Sequence, residues 1–285
     1  MGGRSATGKR VRAKAPAARI GFVGGGNMAT ALIRGFVAAG LYRPEQIVVS
    51  DVDARKRAAM TRRLKVAAVA DNATVVRAAP VLVLAVKPQI MAAVLGELRS
   101  GLTPRHLVVS IAAGWPTARL ERGLGERARV VRVMPNTPSL LGKGMAVAVR
   151  GRHATPADER LVLRLLRTVG RARAVGDERL LDAVTGLSGS GPAYVYLFAE
   201  ALIAGGIAAG LDADAAGELA LQTITGAAAM LQESGEPPAQ LRAAVTSPNG
   251  TTLAGLTELE RRGFVAAVRD AVVAATRRAE ELGRE

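Results

Sequence analysis

The chain has 285 residues, room for one large or two ordinary domains, and with 49% hydrophobic and 22% charged residues it can bury a core. It has no cysteine and two histidines, His106 and His153, which excludes disulfides, thiolate chemistry, Cys-ligated metals and a three-His metal centre. The net charge of +15 favours anionic partners, while aromatic residues at 3% argue against a stacking platform for single-stranded nucleic acid.

Residues 1–18 carry Arg4, Lys9, Arg10, Arg12 and Lys14 without an acid or an apolar repeat. The expectation is a disordered basic tail rather than a secretory signal, because no apolar stretch follows the basic residues. A cytoplasmic location goes with that expectation.

Order is expected from Arg19-Ile20-Gly21-Phe22-Val23, a short apolar strand ending at Gly24-Gly25-Gly26 and feeding a helix from Asn27 to Ala39. A second strand is read at 47–51 and a charged helix at 54–64. The run 81–86 is apolar at every position, as in a parallel strand buried on both faces. Strands at 107–111 and 129–134 repeat the theme, and two more, at 144–149 and 171–175, flank a helix at 156–168. Strands alternating with helices imply βαβ units and an open, parallel-rich sheet. After Gly176 the strand-like runs stop, so the expected boundaries are an α/β domain over 19–176 and an all-helical one over 177–285.

The stretch Pro192–Leu211 is apolar apart from Glu200 and long enough to suggest a membrane span. The mid-span acid, the glycines and the lack of a second span beside it argue instead for a helix buried on all sides. So small a helical domain would need a second subunit to bury it.

Gly24-Gly25-Gly26-Asn27-Met28-Ala29 holds a G-x-G-x-x-A pattern between a strand and a helix. In that setting Gly24 permits the tight turn, Gly26 lets backbone approach a pyrophosphate, and Ala29 lets helix and sheet pack closely. The second strand ends in Ser50-Asp51-Val52-Asp53, followed by Arg55 and Arg57. An acid there suits the ribose of NAD, and a Ser with arginines suits a 2′-phosphate; capping of the next helix by Asp51 or Asp53 is a third reading. Lys87, in Ala85-Val86-Lys87-Pro88, ends a buried strand where such folds bind ligands, and Ile111-Ala112-Ala113 offers small residues beside a flat ring. Met134-Pro135-Asn136-Thr137-Pro138 ends another strand in a stiff turn. In the helical half, two polar, glycine-rich islands interrupt apolar sequence, Thr185–Tyr194 and Val245–Thr252. The second reads as a turn feeding a helix start, with hydroxyls and free N–H groups suited to a carboxylate.

Taken together, Gly24–Ala29, Ala85–Pro88, Met134–Pro138, Thr185–Tyr194 and Ser247–Thr252 resemble the pyrroline-5-carboxylate reductase family, in the family's order from about residue 20 to the C-terminus. The resemblance implies a Rossmann-type N-terminal domain and an all-α dimerisation domain, with dimers that commonly assemble into decamers. It implies reduction of 1-pyrroline-5-carboxylate to L-proline by NADPH or NADH, without a metal. The implied cofactor contacts are Gly24, Gly25, Gly26, Asn27, Met28, Ser50, Asn72, Ala85, Val86, Lys87, Pro88, Ile111, Ala112 and Ala113. The implied substrate contacts are Ser247, Gly250, Thr251 and Thr252, with the Thr252 hydroxyl on the ring nitrogen as the catalytic group. Asn249 stands where the family usually has Gly, and an Asn tolerates the left-handed conformation such a turn needs.

Three other readings fit less well. A β-hydroxyacid dehydrogenase resembles enzymes that use a Lys between domains, and no Lys follows Lys143 here. A nucleic-acid-binding protein fits the charge but not the absence of a readout motif. A non-catalytic dinucleotide sensor would not need the Ser247–Thr252 cradle. The expected partners are therefore a small-molecule substrate and further copies of the chain, with no nucleic acid and no membrane.

Overall fold

The computed structural model describes residues 19–125 and 127–284; the basic stretch 1–18, expected to be a disordered tail, lies outside the described residues. The chain divides into two compact units. One runs up to Val133 and adds Ser139–Gly176; the other joins Met134–Pro138 to Asp177–Glu285.

The first unit is built on β1 (Ile20–Val23), α1 (Asn27–Ala38), β2 (Ile47–Ser50), α2 (Ala54–Leu64), β3 (Ala67–Val69), α3 (Asn72–Ala78), β4 (Val81–Leu84), α4 (Met91–Arg99), β5 (Leu107–Ser110), α5 (Thr117–Leu124), β6 (Arg129–Met134), β7 (Gly144–Arg150), α6 (Pro156–Leu166) and β8 (Gly170–Ala174). The sheet order is β3-β2-β1-β4-β5-β6-β7-β8. The pairs β1–β2, β1–β4, β2–β3, β4–β5, β5–β6 and β7–β8 run parallel. The order reverses between β1 and β4, where ligands bind at the strands' C-terminal ends in such sheets.

Alternation along each strand serves two cores. Val81 and Val83 of β4 pack with Leu32, Ile33 and Leu165 of α1 and α6. Leu82 and Leu84 pack on the opposite face with Val75, Leu95 and Leu120 of α3, α4 and α5. This double burial is why β4 is apolar at every position. Strand β3 was not expected from the sequence: it has three residues, none of them buried, and lies at the edge of the sheet. Four strands end earlier than expected, β2 at Ser50, β4 at Leu84, β5 at Ser110 and β8 at Ala174; the residues after the first three form turns instead.

The second unit holds α7 (Leu180–Val184), α8 (Gly191–Ala208), α9 (Ala213–Glu233), α10 (Pro238–Ala244), α11 (Thr251–Arg261) and α12 (Phe264–Arg284). Between α7 and α8, Thr185–Gly189 forms one π-helical turn. The costly glycines of this segment serve close packing: a Cβ on Gly186 would stand 2.4 Å from the Thr276 hydroxyl and 2.6 Å from the Val272 carbonyl oxygen. The Tyr194 hydroxyl donates to the Gly186 carbonyl at 3.2 Å.

Leu180–Ala208 is long and apolar enough to cross a membrane by length and composition, with a mean hydropathy of 1.3. Of α8, Ala199 alone is buried, and Tyr196, Leu197 and Ile207 are exposed. Val265 of α12 and Leu221 of α9 add to the uncovered apolar surface.

Candidate functional site

The first candidate site gathers at the C-terminal ends of β1, β2, β4 and β5. Gly24 has φ +98°, and a Cβ there would stand 2.6 Å from the Ala85 carbonyl oxygen, so only glycine fits the turn. At Gly26 an added Cβ meets nothing within 4 Å, which leaves the backbone open to close approach by a ligand. Gly26 is the N-cap of α1 and supplies no side-chain cap. The first N–H groups of α1, from Asn27 and Met28, thus lack a side-chain acceptor at the positive end of the helix dipole. Ala29 is fully buried against the sheet, the close packing its small size allows.

The acids after β2 divide their work. Asp53 caps α2, accepting from the Arg55 and Lys56 backbone N–H groups at 2.7 and 3.4 Å. Asp51 accepts the Gly25 N–H at 2.9 Å through Oδ2 and the Asp53 N–H at 2.9 Å through Oδ1. Asp51 is thereby a brace for the glycine turn.

Ser50 is buried. Its hydroxyl donates to Asn72 Oδ1 at 2.6 Å, and the Asn72 amide donates to Glu97 Oε2 at 2.7 Å. The Ser50 hydroxyl is therefore turned into a chain of hydrogen bonds, and Asn72 is the half-buried member nearer the surface. The Arg57 guanidinium donates to the Asp51 and Val52 carbonyls, each at 2.9 Å, and so clamps the β2–α2 turn.

Ala85 continues the ladder by donating to the Val23 carbonyl at 2.8 Å, and Lys87 is the exposed N-cap of a short 3₁₀ turn, Pro88–Ile90. Trp115 Nε1 donates to the Pro88 carbonyl at 3.1 Å, which steadies that turn. Beside it, Ile111 and Ala113 are half-buried and Ala112 is buried. These residues fit a dinucleotide: a phosphate cradle at Gly26–Met28, with small apolar residues at the ends of β4 and β5 for a flat ring.

The second candidate site lies in the helical unit. Asn249 adopts φ +59°, and the turn closes with the Gly250 N–H donating to the Ser247 carbonyl at 3.1 Å. Asn249 thus takes the left-handed conformation that glycine would otherwise supply. Gly250 is the N-cap of α11 and gives no side-chain cap, so the helix start again offers free N–H groups. Ser247, Thr251 and Thr252 are exposed, and among the described residues the Thr251 and Thr252 hydroxyls have no hydrogen-bond partner. Elsewhere Asp71, Thr155 and Asp212 cap α3, α6 and α9 with their side chains. Asn136, from the stiff turn after β6, donates to the Ser188 carbonyl at 3.2 Å and so reaches the π-helical turn. Among the described residues no group of three acidic or His side chains is placed to hold a metal.

Residues 178–282 match the family described as pyrroline-5-carboxylate reductase dimerisation, and residues 19–114 the family described as NADP oxidoreductase, coenzyme F420-dependent. A pyrroline-5-carboxylate reductase of Methanosarcina acetivorans is 43% identical over 267 residues, 94% of this chain and 98% of that protein. The solved pyrroline-5-carboxylate reductase of Coxiella burnetii superposes with a TM-score of 0.87 at 37% identity, covering 93% of this chain and 98% of the other. The Plasmodium falciparum pyrroline carboxylate reductase, solved with NADP bound, gives a TM-score of 0.84 at 32% identity, covering 95% of this chain and all of the other (100%).

Proposed function

The chain belongs to the pyrroline-5-carboxylate reductase family, and from that membership we infer that it reduces 1-pyrroline-5-carboxylate to L-proline with NADPH, the last step of proline biosynthesis. One observation in the structure carries the reading furthest: α1 and α11 both begin at a glycine that leaves the helix start uncapped. A helix start of that kind receives an anion. In the first unit the anion is the pyrophosphate of the dinucleotide, held by Gly24–Met28. In the second it is the carboxylate of the substrate, held by Ser247, Gly250 and Thr251.

The cofactor supplies the hydride. The chain's own part is binding and alignment. Asn72 and Lys87 take polar groups of the dinucleotide, with Ser50 behind Asn72. Ala85, Val86, Pro88 and Ile111–Ala113 shape the ring's seat. A protonated cyclic imine is already a good hydride acceptor, so no strong base or metal is needed. The Thr252 hydroxyl is the catalytic group: it hydrogen-bonds the ring nitrogen and favours the protonated imine.

The unit boundaries, 19–176 for the dinucleotide and 177–285 for substrate and dimer, belong to the same reading. The dimerisation family over 178–282 supports a homodimer that covers the apolar surface of α8, α9 and α12. That cover, together with Glu200 within α8, favours a protein partner over lipid for Leu180–Ala208. Assembly of dimers into a decamer is the further expectation. A small water-soluble substrate and a soluble cofactor suit a cytoplasmic enzyme with no nucleic-acid partner.

The test is imine-dependent oxidation of NADPH by the purified chain, with the product identified as L-proline. Oxidation that is independent of pyrroline-5-carboxylate, or a different product, would overturn the reading.

A further inference from the structure

Trp115 is the single tryptophan of the chain and stands just past β5. Gly114, with φ +68°, makes the turn before it, and Pro116 after it is the N-cap of α5. The indole is buried in the core that also holds Met91, Ala112 and Leu120. Its Nε1–H donates to the Pro88 carbonyl at 3.1 Å. The Arg119 guanidinium lies over the ring, 3.9 Å from its centroid. The negative face of the ring attracts that cation, and the cation in turn strengthens the N–H as a donor.

A buried indole N–H finds a partner in most folds, and the choice of partner decides what the bond does. The Pro88 carbonyl already accepts the Met91 N–H, and the Lys87 carbonyl accepts the Ile90 N–H at 3.2 Å. Those bonds are local and tie the short turn only to itself. On the strand side, Ala85 is held by the Val23 carbonyl of β1, and Ile111 donates to the Leu84 carbonyl at 3.2 Å. Beyond Leu84, among the described residues, the Trp115–Pro88 bond is the one hydrogen bond that joins 85–90 to 111–116.

We infer that Trp115 is a positioning residue for the cofactor: by holding the Pro88 carbonyl it fixes the turn after β4 against the turn after β5, and so sets the seat of the nicotinamide ring without touching the ring. The inference rests on the reading of Ala85–Pro88 and Ile111–Ala113 as that seat. Without the bond the Ala85–Pro88 turn keeps its own shape but gains freedom relative to Ile111–Ala113, and its ordering then opposes binding of the ring. The pyrophosphate cradle at Gly24–Met28 is built on β1 and α1, so the other end of the cofactor keeps its affinity.

Steady-state kinetics of the full chain test this with two ligands. One is NADPH; the other is 2′-phospho-ADP-ribose, which lacks only the nicotinamide and is used as a competitive inhibitor. Wild type is compared with Trp115→Phe and with a chain whose single tryptophan is replaced by its benzothiophene isostere, in which sulfur takes the place of the N–H and the shape is kept. KM and Ki do not depend on the folded fraction of the enzyme. Loss of one hydrogen bond should raise KM for NADPH by about three- to tenfold in both variants. Ki for 2′-phospho-ADP-ribose should stay within about twofold of wild type, and KM for the imine should not change. A wild-type KM for NADPH in the isostere would overturn the proposal. Equal weakening of both ligands would overturn it too, since a merely loosened structure gives that result. Wild type on which 2′-phospho-ADP-ribose does not compete with NADPH would instead overturn the cofactor reading on which the proposal stands.

Discussion

The Asp51 carboxylate accepts the backbone N–H of Gly25 at 2.9 Å, joining the end of β2 to the turn that follows β1. The side chain is almost wholly buried, and its second oxygen is engaged by the Asp53 N–H. An acid so occupied shapes the cradle for either dinucleotide and does not choose between them. Asp51→Ala removes two hydrogen bonds, each worth about 1 kcal/mol. It should weaken NADPH and NADH together by about tenfold in a binding titration. Asp51→Asn keeps an acceptor and should stay within about threefold of wild type. Loss confined to NADH would make Asp51 a ribose ligand instead.

The Thr252 hydroxyl has no partner among the described residues and stands in the first turn of an uncapped helix. Thr252→Val keeps the shape and removes the hydroxyl. Losing a hydrogen bond to a charged group costs about 1.5–3 kcal/mol, so kcat/KM for the imine should fall about 10- to 150-fold. The affinity for NADPH should hold, Thr252→Ser should recover most of the activity, and Thr251→Val should cost less. Wild-type kcat/KM in Thr252→Val would reduce the residue to a helix-start Thr.

Leu197 is 65% exposed on α8 and Val265 is 67% exposed on α12. Burying a side chain of this size contributes about 1.5–3 kcal/mol. Sedimentation should show a dimer at the lowest concentrations that can be measured. Leu197→Glu should shift the population toward monomer, and activity should fall with it. A dimer unaffected by that substitution would place the interface away from α8.

Asp158 is buried at the start of α6. Burial by itself would raise its pKa, but hydrogen bonds from the Thr155 backbone, Arg129 and the Thr155 hydroxyl outweigh it and hold the carboxyl below the ordinary aspartate range. A depressed pKa stabilises the folded state above the unfolded value, and the stabilisation is lost as pH falls through the folded one. Thermal melting should therefore steepen in its pH dependence below about pH 4. Asp158→Asn should lower stability at neutral pH by about 1–3 kcal/mol and flatten that dependence. An identical acid profile in Asp158→Asn would assign the acid sensitivity to other carboxylates.

Several features were legible along the chain because they are local. The run from Val81 to Leu84 is apolar at each position because both of its faces are covered, and that pattern is written in consecutive residues. The glycine turn shows in a few adjacent letters, and the same holds for the Ser247–Thr252 turn, where Asn249 takes up a conformation its side chain tolerates. Other features depend on residues far apart in the chain. Strand β3 has too few residues and too little burial to carry a pattern, and exists because β2 lies beside it. The sequence alone allowed both Asp51 and Asp53 to cap α2. Only the fold brings Gly25, 26 positions away, to Asp51 and leaves the cap to Asp53. Ser50 reads in the sequence as a candidate cofactor contact, and only the fold turns its hydroxyl onto Asn72; Arg34 and Arg63 line one groove only because α1 and α2 pack side by side. Periodicity and turn chemistry act between near neighbours, whereas the partner of a buried polar group is chosen by which strands and helices pack together.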